Sequence, residues 1–173
     1  AVRQGRGSLR RLGATGHYFL AQARYMQGEA ILARFEAIQI AGDIDGLSDR
    51  LRQKSNLLRD ASEAFADVVQ FHVAEWVTAA LFQIGRSYEL FASQLRDFPI
   101  PEGLSEEEDQ AYRDQLGTFI VPIEEQALEA YQGGYQTAID LHIFNTWTAQ
   151  LHEGLTRLND VEFPPLREVG AEL

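Results

Sequence analysis

The first proline of this chain stands at position 99, and the other four follow at 101, 122, 164 and 165. A long proline-free stretch leaves helix uninterrupted, because proline removes a backbone donor and clashes with the preceding turn. Runs of Val, Ile and Thr with period-two alternation, the mark of half-buried strands, are absent. Apolar residues recur instead at three- and four-residue spacing, which predicts an all-α chain of about five long helices.

The spacing places a first helix from Thr15 or Gly16 to about Ile40, with Phe19, Ala23, Met26 and Ala30 on its apolar stripe, continued by Ile31, Phe35 and Ile38. Ala41-Gly42-Asp43 and Asp45-Gly46 signal its end. A second helix follows over about Leu47 to Val69, with Leu51, Leu58, Ala61, Phe65 and Val68 or Val69 facing inward. A break at Phe71-His72-Val73 precedes a third over about Ala74 to Arg96, striped by Val77, Leu81, Ile84, Tyr88 and Phe91. Phe98-Pro99-Ile100-Pro101 reads as an extended loop. Ser105 then opens a long helix to about Leu141, kinked at Pro122, with Glu108 completing a capping box and Glu106 and Glu107 complementing the helix dipole. A last helix runs from about Asn145 to Leu158 and stops at Phe163-Pro164-Pro165. The expected organisation is a flexible basic arm at 1–14, a helical domain at 15–163 and a tail at 164–173.

Charge narrows the function classes. The net charge is −11, yet Arg3, Arg6, Arg10 and Arg11 lie in an N-terminal stretch free of acids. The body is therefore more acidic than the total suggests, and nucleic acid is not expected as a partner. With no cysteine, disulfides and thiolate metal sites drop out. Basic residues are arginine apart from Lys54, a bias that follows genome composition and assigns no function. No apolar run is long enough to span a bilayer.

The stretch Leu81-Phe82-Gln83-Ile84-Gly85-Arg86-Ser87-Tyr88 carries the order large-x-x-large-Gly-x-x-Tyr. Glycine there lets a neighbouring helix come close, and an aromatic residue one turn later fills the space. Gln27-Gly28-Glu29-Ala30-Ile31 is a weaker copy. Ala61 with Phe65, and Ala127 with Tyr131, supply an Ala-x-x-x-aromatic pattern, and Trp147 to Leu155 is similar to the opening of a third unit. These patterns resemble tetratricopeptide repeats, though the glycine-to-aromatic spacings are far longer than that family's 34-residue unit allows. The segment from about Ser55 to Glu168 resembles bacterial tetratricopeptide proteins of the cell-envelope type, through "EWVTAALFQIGRSYELFA", "PIPEGLSEEEDQAYRDQL" and "FNTWTAQLHEGLTRLNDVEFPPLREVG". The resemblance implies elongated hairpins stacked as a right-handed superhelix, and a non-catalytic protein-binding role beside outer-membrane or motility machinery. It implies a periplasmic or envelope-associated location, with the cytoplasm as the other option. Its structural repeat positions are Gly28, Ala61, Phe65, Leu81, Ile84, Gly85, Tyr88, Ala127, Tyr131 and Trp147.

No chemistry-bearing constellation accompanies these positions. His17, His72, His142 and His152 are scattered, and none has the Glu-x-x-His spacing of a di-iron bundle. His72 stands at a helix junction, where a capping or solvent role is expected. Gly5-Arg6-Gly7 lacks the Gly-Lys-Ser of a phosphate loop. Gly133-Gly134 inside a helix reads as close packing at Gly134 or as a hinge. The expected function is a protein-interaction scaffold that offers a concave surface and an acidic face to a basic or polar partner, with no cofactor and no metal. A helix-bundle sensor or small-ligand-binding domain is the alternative.

Overall fold

The computed structural model describes residues 13–40, 46–100 and 103–166. Among them are five helices and no strand: α1 Ala14–Ala37, α2 Leu47–Val69, α3 Ala74–Arg96, α4 Glu106–Asp140 and α5 Thr146–Leu158. The fold is all-α. Residues 1–12, most of the expected arm, lie outside the described residues, as do Ala41 to Asp45, Pro101 and the tail beyond 166. Helix α1 begins at Ala14, inside the span expected for the arm.

Pairwise contacts give the topology. Between α1 and α2 the partners run in opposite directions: Arg24 with Asp67, Gly28 with Phe65, Phe35 with Lys54. The same holds for α3 and α4, through Arg96 with Glu124, Glu89 with Tyr131 and Leu81 with Gly134. These are two antiparallel hairpins. The odd helices lie parallel to one another. Tyr18 and Tyr25 meet Trp76, Tyr25 also meets Gln83, and Phe35 meets Phe91. Further on, Thr78 meets Asn145, Phe82 meets Trp147 and Glu89 meets Arg157.

Local signals set the ends. Gly46, at φ 78°, precedes α2. Ser105 caps α4 with a complete capping box, its hydroxyl accepting from the Glu108 amide while Glu108 accepts from the Ser105 N–H. Asn145 caps α5 through the Thr148 amide and donates its Nδ2 to the buried Thr78 hydroxyl. α2 and α4 are each followed by a histidine in the left-handed region, His72 at φ 54° and His142 at φ 56°, a position that usually falls to glycine. Pro122 is exposed inside a continuous α4.

Two expectations about α1 need correction. The helix stops at Ala37, short of Ile40. Lys54, the chain's sole lysine, is fully buried and donates its Nζ to the carbonyls of Phe35 at 2.6 Å and Ile38 at 2.9 Å, closing the helix end. The inward face is the expected one only in its second part, where Phe35 is buried and Ile31 and Ile38 pack half-buried on the core. Ala21, Tyr25, Gly28, Leu32 and Phe35 are buried, whereas Phe19, Ala23, Met26 and Ala30 point outward. Both sets recur at helical spacing, and the buried set wins because it holds the rings that meet Phe65, Trp76 and Phe91.

Candidate interaction surface

The ten repeat positions all take part in packing. Gly28 faces Phe65: a Cβ there would lie 2.6 Å from the ring. Gly85 faces Tyr131, where a Cβ would lie 2.5 Å from it. Each glycine therefore holds open the place taken by the aromatic residue of its own hairpin's second helix. Ala61, Phe65, Ala127 and Tyr131 have no exposed surface. Ile84 and Tyr88 pack half-buried on the core between α1, α2 and α3. Leu81 touches Gly134, and Trp147 packs on Phe82 at 5.6 Å between ring centroids. Of the glycine pair, Gly134 is pressed against Leu151 and Leu81, while nothing lies within 4 Å of a Cβ at Gly133.

Several residues escaped the sequence reading. Gly154 on α5 meets the other side of the Tyr131 ring, at 2.7 Å from an added Cβ, so that ring is clasped between two glycines. Its hydroxyl donates to Glu89 at 2.6 Å, and Arg157 donates to both Glu89 oxygens at 2.8 and 2.9 Å. Burial pushes the Glu89 carboxyl up, but the bonds from Arg157 and Tyr131 and the charges of Arg157 and Arg86 outweigh it and hold it below its ordinary range. Burial and the Glu89 charge both push the Tyr131 hydroxyl upward, so it stays a donor. The group locks α3, α4 and α5 together. A second polar chain ties α1 to α3: Gln83 donates to the Tyr25 hydroxyl at 3.0 Å, and Arg86 pairs with Gln83 and Glu36. Nothing short of the three-dimensional pairing identifies the Tyr131–Glu89–Arg157 and Tyr25–Gln83 bonds, whose partners lie 42 to 68 positions apart.

The outward face of α4 is the most distinctive surface. Nine residues of this helix are acidic and one, Arg113, is basic. Asp114, Glu125, Glu129 and Asp140 are exposed along it, with Phe119 at 62% and Val121 at 51% exposure between them. α4 outreaches its neighbour: with Arg96 at the end of α3 paired to Glu124, the first turns of α4, which begins at Glu106, extend about 27 Å further at 1.5 Å per residue. Beneath them Phe98, Ile100, Tyr112, Leu116 and Ile120 line an apolar groove of about 340 Å³, edged by Arg96, Arg113 and Glu124. An acidic helix with aromatic and aliphatic side chains in reach suits a segment carrying both cations and apolar anchors.

Among the described residues no cluster of His, Asp and Glu could hold a metal ion, and no helix is long and apolar enough to cross a membrane. His72 and His142 are exposed at helix ends, and His152 packs its ring on Tyr135 at 5.2 Å. No known protein family, curated protein or solved structure matches the chain.

Proposed function

We propose that this chain is a non-catalytic scaffold of tetratricopeptide type, its elongated hairpins stacked in a right-handed superhelix, that holds another protein. One observation carries the reading. Each hairpin places a glycine of its first helix against the aromatic residue of its second, Gly28 with Phe65 and Gly85 with Tyr131. Stacked helical units of this kind offer extended surfaces for binding, while the core residues serve packing. The partner is a basic or polar protein segment with apolar anchors, taken on the acidic face of α4 between Asp114 and Glu129; nucleic acid does not fit that charge. The setting is a bacterial envelope or motility-type assembly, periplasmic or envelope-associated.

The test is affinity capture from the native source at low and high salt, with and without chelator, using wild type and a Glu125→Lys/Glu129→Lys double variant. Both sites are exposed, so the variant keeps its fold. A polypeptide retained at low salt, weakened by salt and by the charge reversal and indifferent to chelator, is the expected result. A partner lost with chelator but indifferent to salt and to the reversal contradicts it, as does catalytic turnover that depends on a single polar residue.

A further inference from the structure

The chain carries in its own sequence a segment of the kind that α4 suits. Residues 1–12 read "AVRQGRGSLRRL": Arg3, Arg6, Arg10 and Arg11 with no acid, and Leu9 and Leu12 bracketing the last two arginines. The groove beneath the first turns of α4 has an apolar floor that includes Phe98, Ile100, Leu116 and Ile120. The arginines at its edge are spoken for, Arg96 by Glu124 and Arg113 by Asp109. Glu106, Glu107, Asp114 and Glu125 are exposed on the same helix and have no cation partner among the described residues.

A chain cannot fill its own groove. Extended backbone covers at most about 3.6 Å per residue, so residues 9–12 stay within about 18 Å of Ala14 by any path. α1 runs alongside α3 with Phe35 level with Phe91, and Arg96 is level with Glu124. At 1.5 Å per residue, Leu116 then lies about 50 Å along the bundle from Ala14. The hollow nearest the basic segment, lined by Ala14, His17, Tyr18, Phe71, His72 and Val73, carries no acid to meet an arginine.

We infer, on the reading of α4 as the binding face, that this groove takes residues 1–12 of a second copy of the chain. Leu9 and Leu12 seat on the apolar floor while Arg10 and Arg11 meet the acids of the rim, in charge-assisted bonds that favour arginine over lysine. The two surfaces that meet are unlike and lie toward opposite ends of the molecule, so the contact is heterologous: one copy gives the segment and the other offers the groove. Two bodies at −11 each repel. With a Debye length of about 8 Å at physiological salt, that repulsion is screened between separated bodies far more than the attraction of arginine and carboxylate in contact.

Fluorescence anisotropy of a labelled peptide of residues 1–12, titrated with the intact chain at physiological salt, tests the contact. Saturable binding is expected. Leu9→Asp/Leu12→Asp in the peptide, and Glu107→Lys/Asp114→Lys in the protein, are each expected to weaken it about tenfold or more. Both protein positions are exposed, and unchanged helicity is checked by circular dichroism. Sedimentation equilibrium of intact chains adds the second copy. Wild type is expected to associate as concentration rises. Arg10→Glu/Arg11→Glu chains and Glu107→Lys/Asp114→Lys chains should each stay single alone and associate when mixed, since each then meets the other's complement. A peptide that does not bind, or that binds regardless of both pairs of changes, overturns the inference, as does a wild type that stays single at every concentration. A foreign polypeptide captured through Glu125 and Glu129, with no peptide binding, leaves the α4 face standing and this occupant wrong; failure of both overturns the two together.

Discussion

Replacing Gly85 by alanine adds one methyl group at the point where α3, α4 and α5 meet. The new Cβ would stand 2.5, 2.7 and 2.8 Å from atoms of the Tyr131 ring. That ring cannot retreat. Its far side is against Gly154 at similar distances, its surface is fully buried, and its hydroxyl is held at 2.6 Å by Glu89. Relief must come from a shift of whole helices, and forced overpacking of a core costs about 1–3 kcal/mol. Against this, alanine is better than glycine inside a helix by about 1 kcal/mol. Gly133 supplies the control, because it lies in α4 with nothing within 4 Å of an added Cβ. Both substitutions share the propensity gain, so the difference between them isolates the packing cost. In urea unfolding Gly133→Ala is expected to stabilise by about 1 kcal/mol, and Gly85→Ala to lie about 1–3 kcal/mol below it. In a Tyr131→Leu background, where the ring is gone, that difference should largely vanish. Equal stabilisation by Gly85→Ala and Gly133→Ala would refute the clasped-ring geometry.

Glu89→Gln removes the charge that accepts from Tyr131 and Arg157, and chemical denaturation should show a loss of about 1.5–3 kcal/mol. Because its carboxyl is held below the ordinary range in the fold, Glu89 contributes stability above the unfolded pKa of about 4.3 and loses it as pH falls through the lower folded value, so wild type should show an acid-side decline that the variant lacks. Lys54 gives the alkaline counterpart. Burial lowers its ammonium to about 8, so above that value the fold releases a proton that the unfolded chain still holds. Stability should rise between about pH 8 and pH 10, by no more than roughly 3 kcal/mol, and Lys54→Met should flatten that rise in pH-dependent thermal melts. His142→Gly relieves a left-handed residue at the end of α4 and should raise stability by about 0.5–1 kcal/mol; destabilisation would point to an unrecognised role for the imidazole.

The helix boundaries were legible because their signals are local. Leu47–Val69, Ala74–Arg96 and the Ser105 capping box follow from residues that sit next to one another. Gly28, Phe65, Gly85 and Tyr131 could be named as repeat positions from the sequence, but the filler expected beside Gly85 was the aromatic one turn later, Tyr88, and the structure puts Tyr131 of the facing helix there instead. The inner side of the first half of α1 could not be read. Phe19-Ala23-Met26-Ala30 and Ala21-Tyr25-Gly28-Leu32 are both helical stripes, and period alone does not choose between them. Only the aromatic partners on α2 and α3 do. Lys54 was equally opaque, because lysine is rarely buried and its acceptors are carbonyls exposed by the end of another helix. The Tyr131–Glu89–Arg157 group depends on three helices meeting, which no short window contains.

Native mass spectrometry of the protein purified from its source under gentle, low-salt conditions tests the scaffold reading most directly. The account predicts the chain in complex with one or more polypeptides, released by raised salt, with no stoichiometric small molecule or metal adduct on the chain itself. A chain that arrives without any polypeptide and carries a stoichiometric ligand or metal would contradict it and place the helices in the service of small-molecule binding.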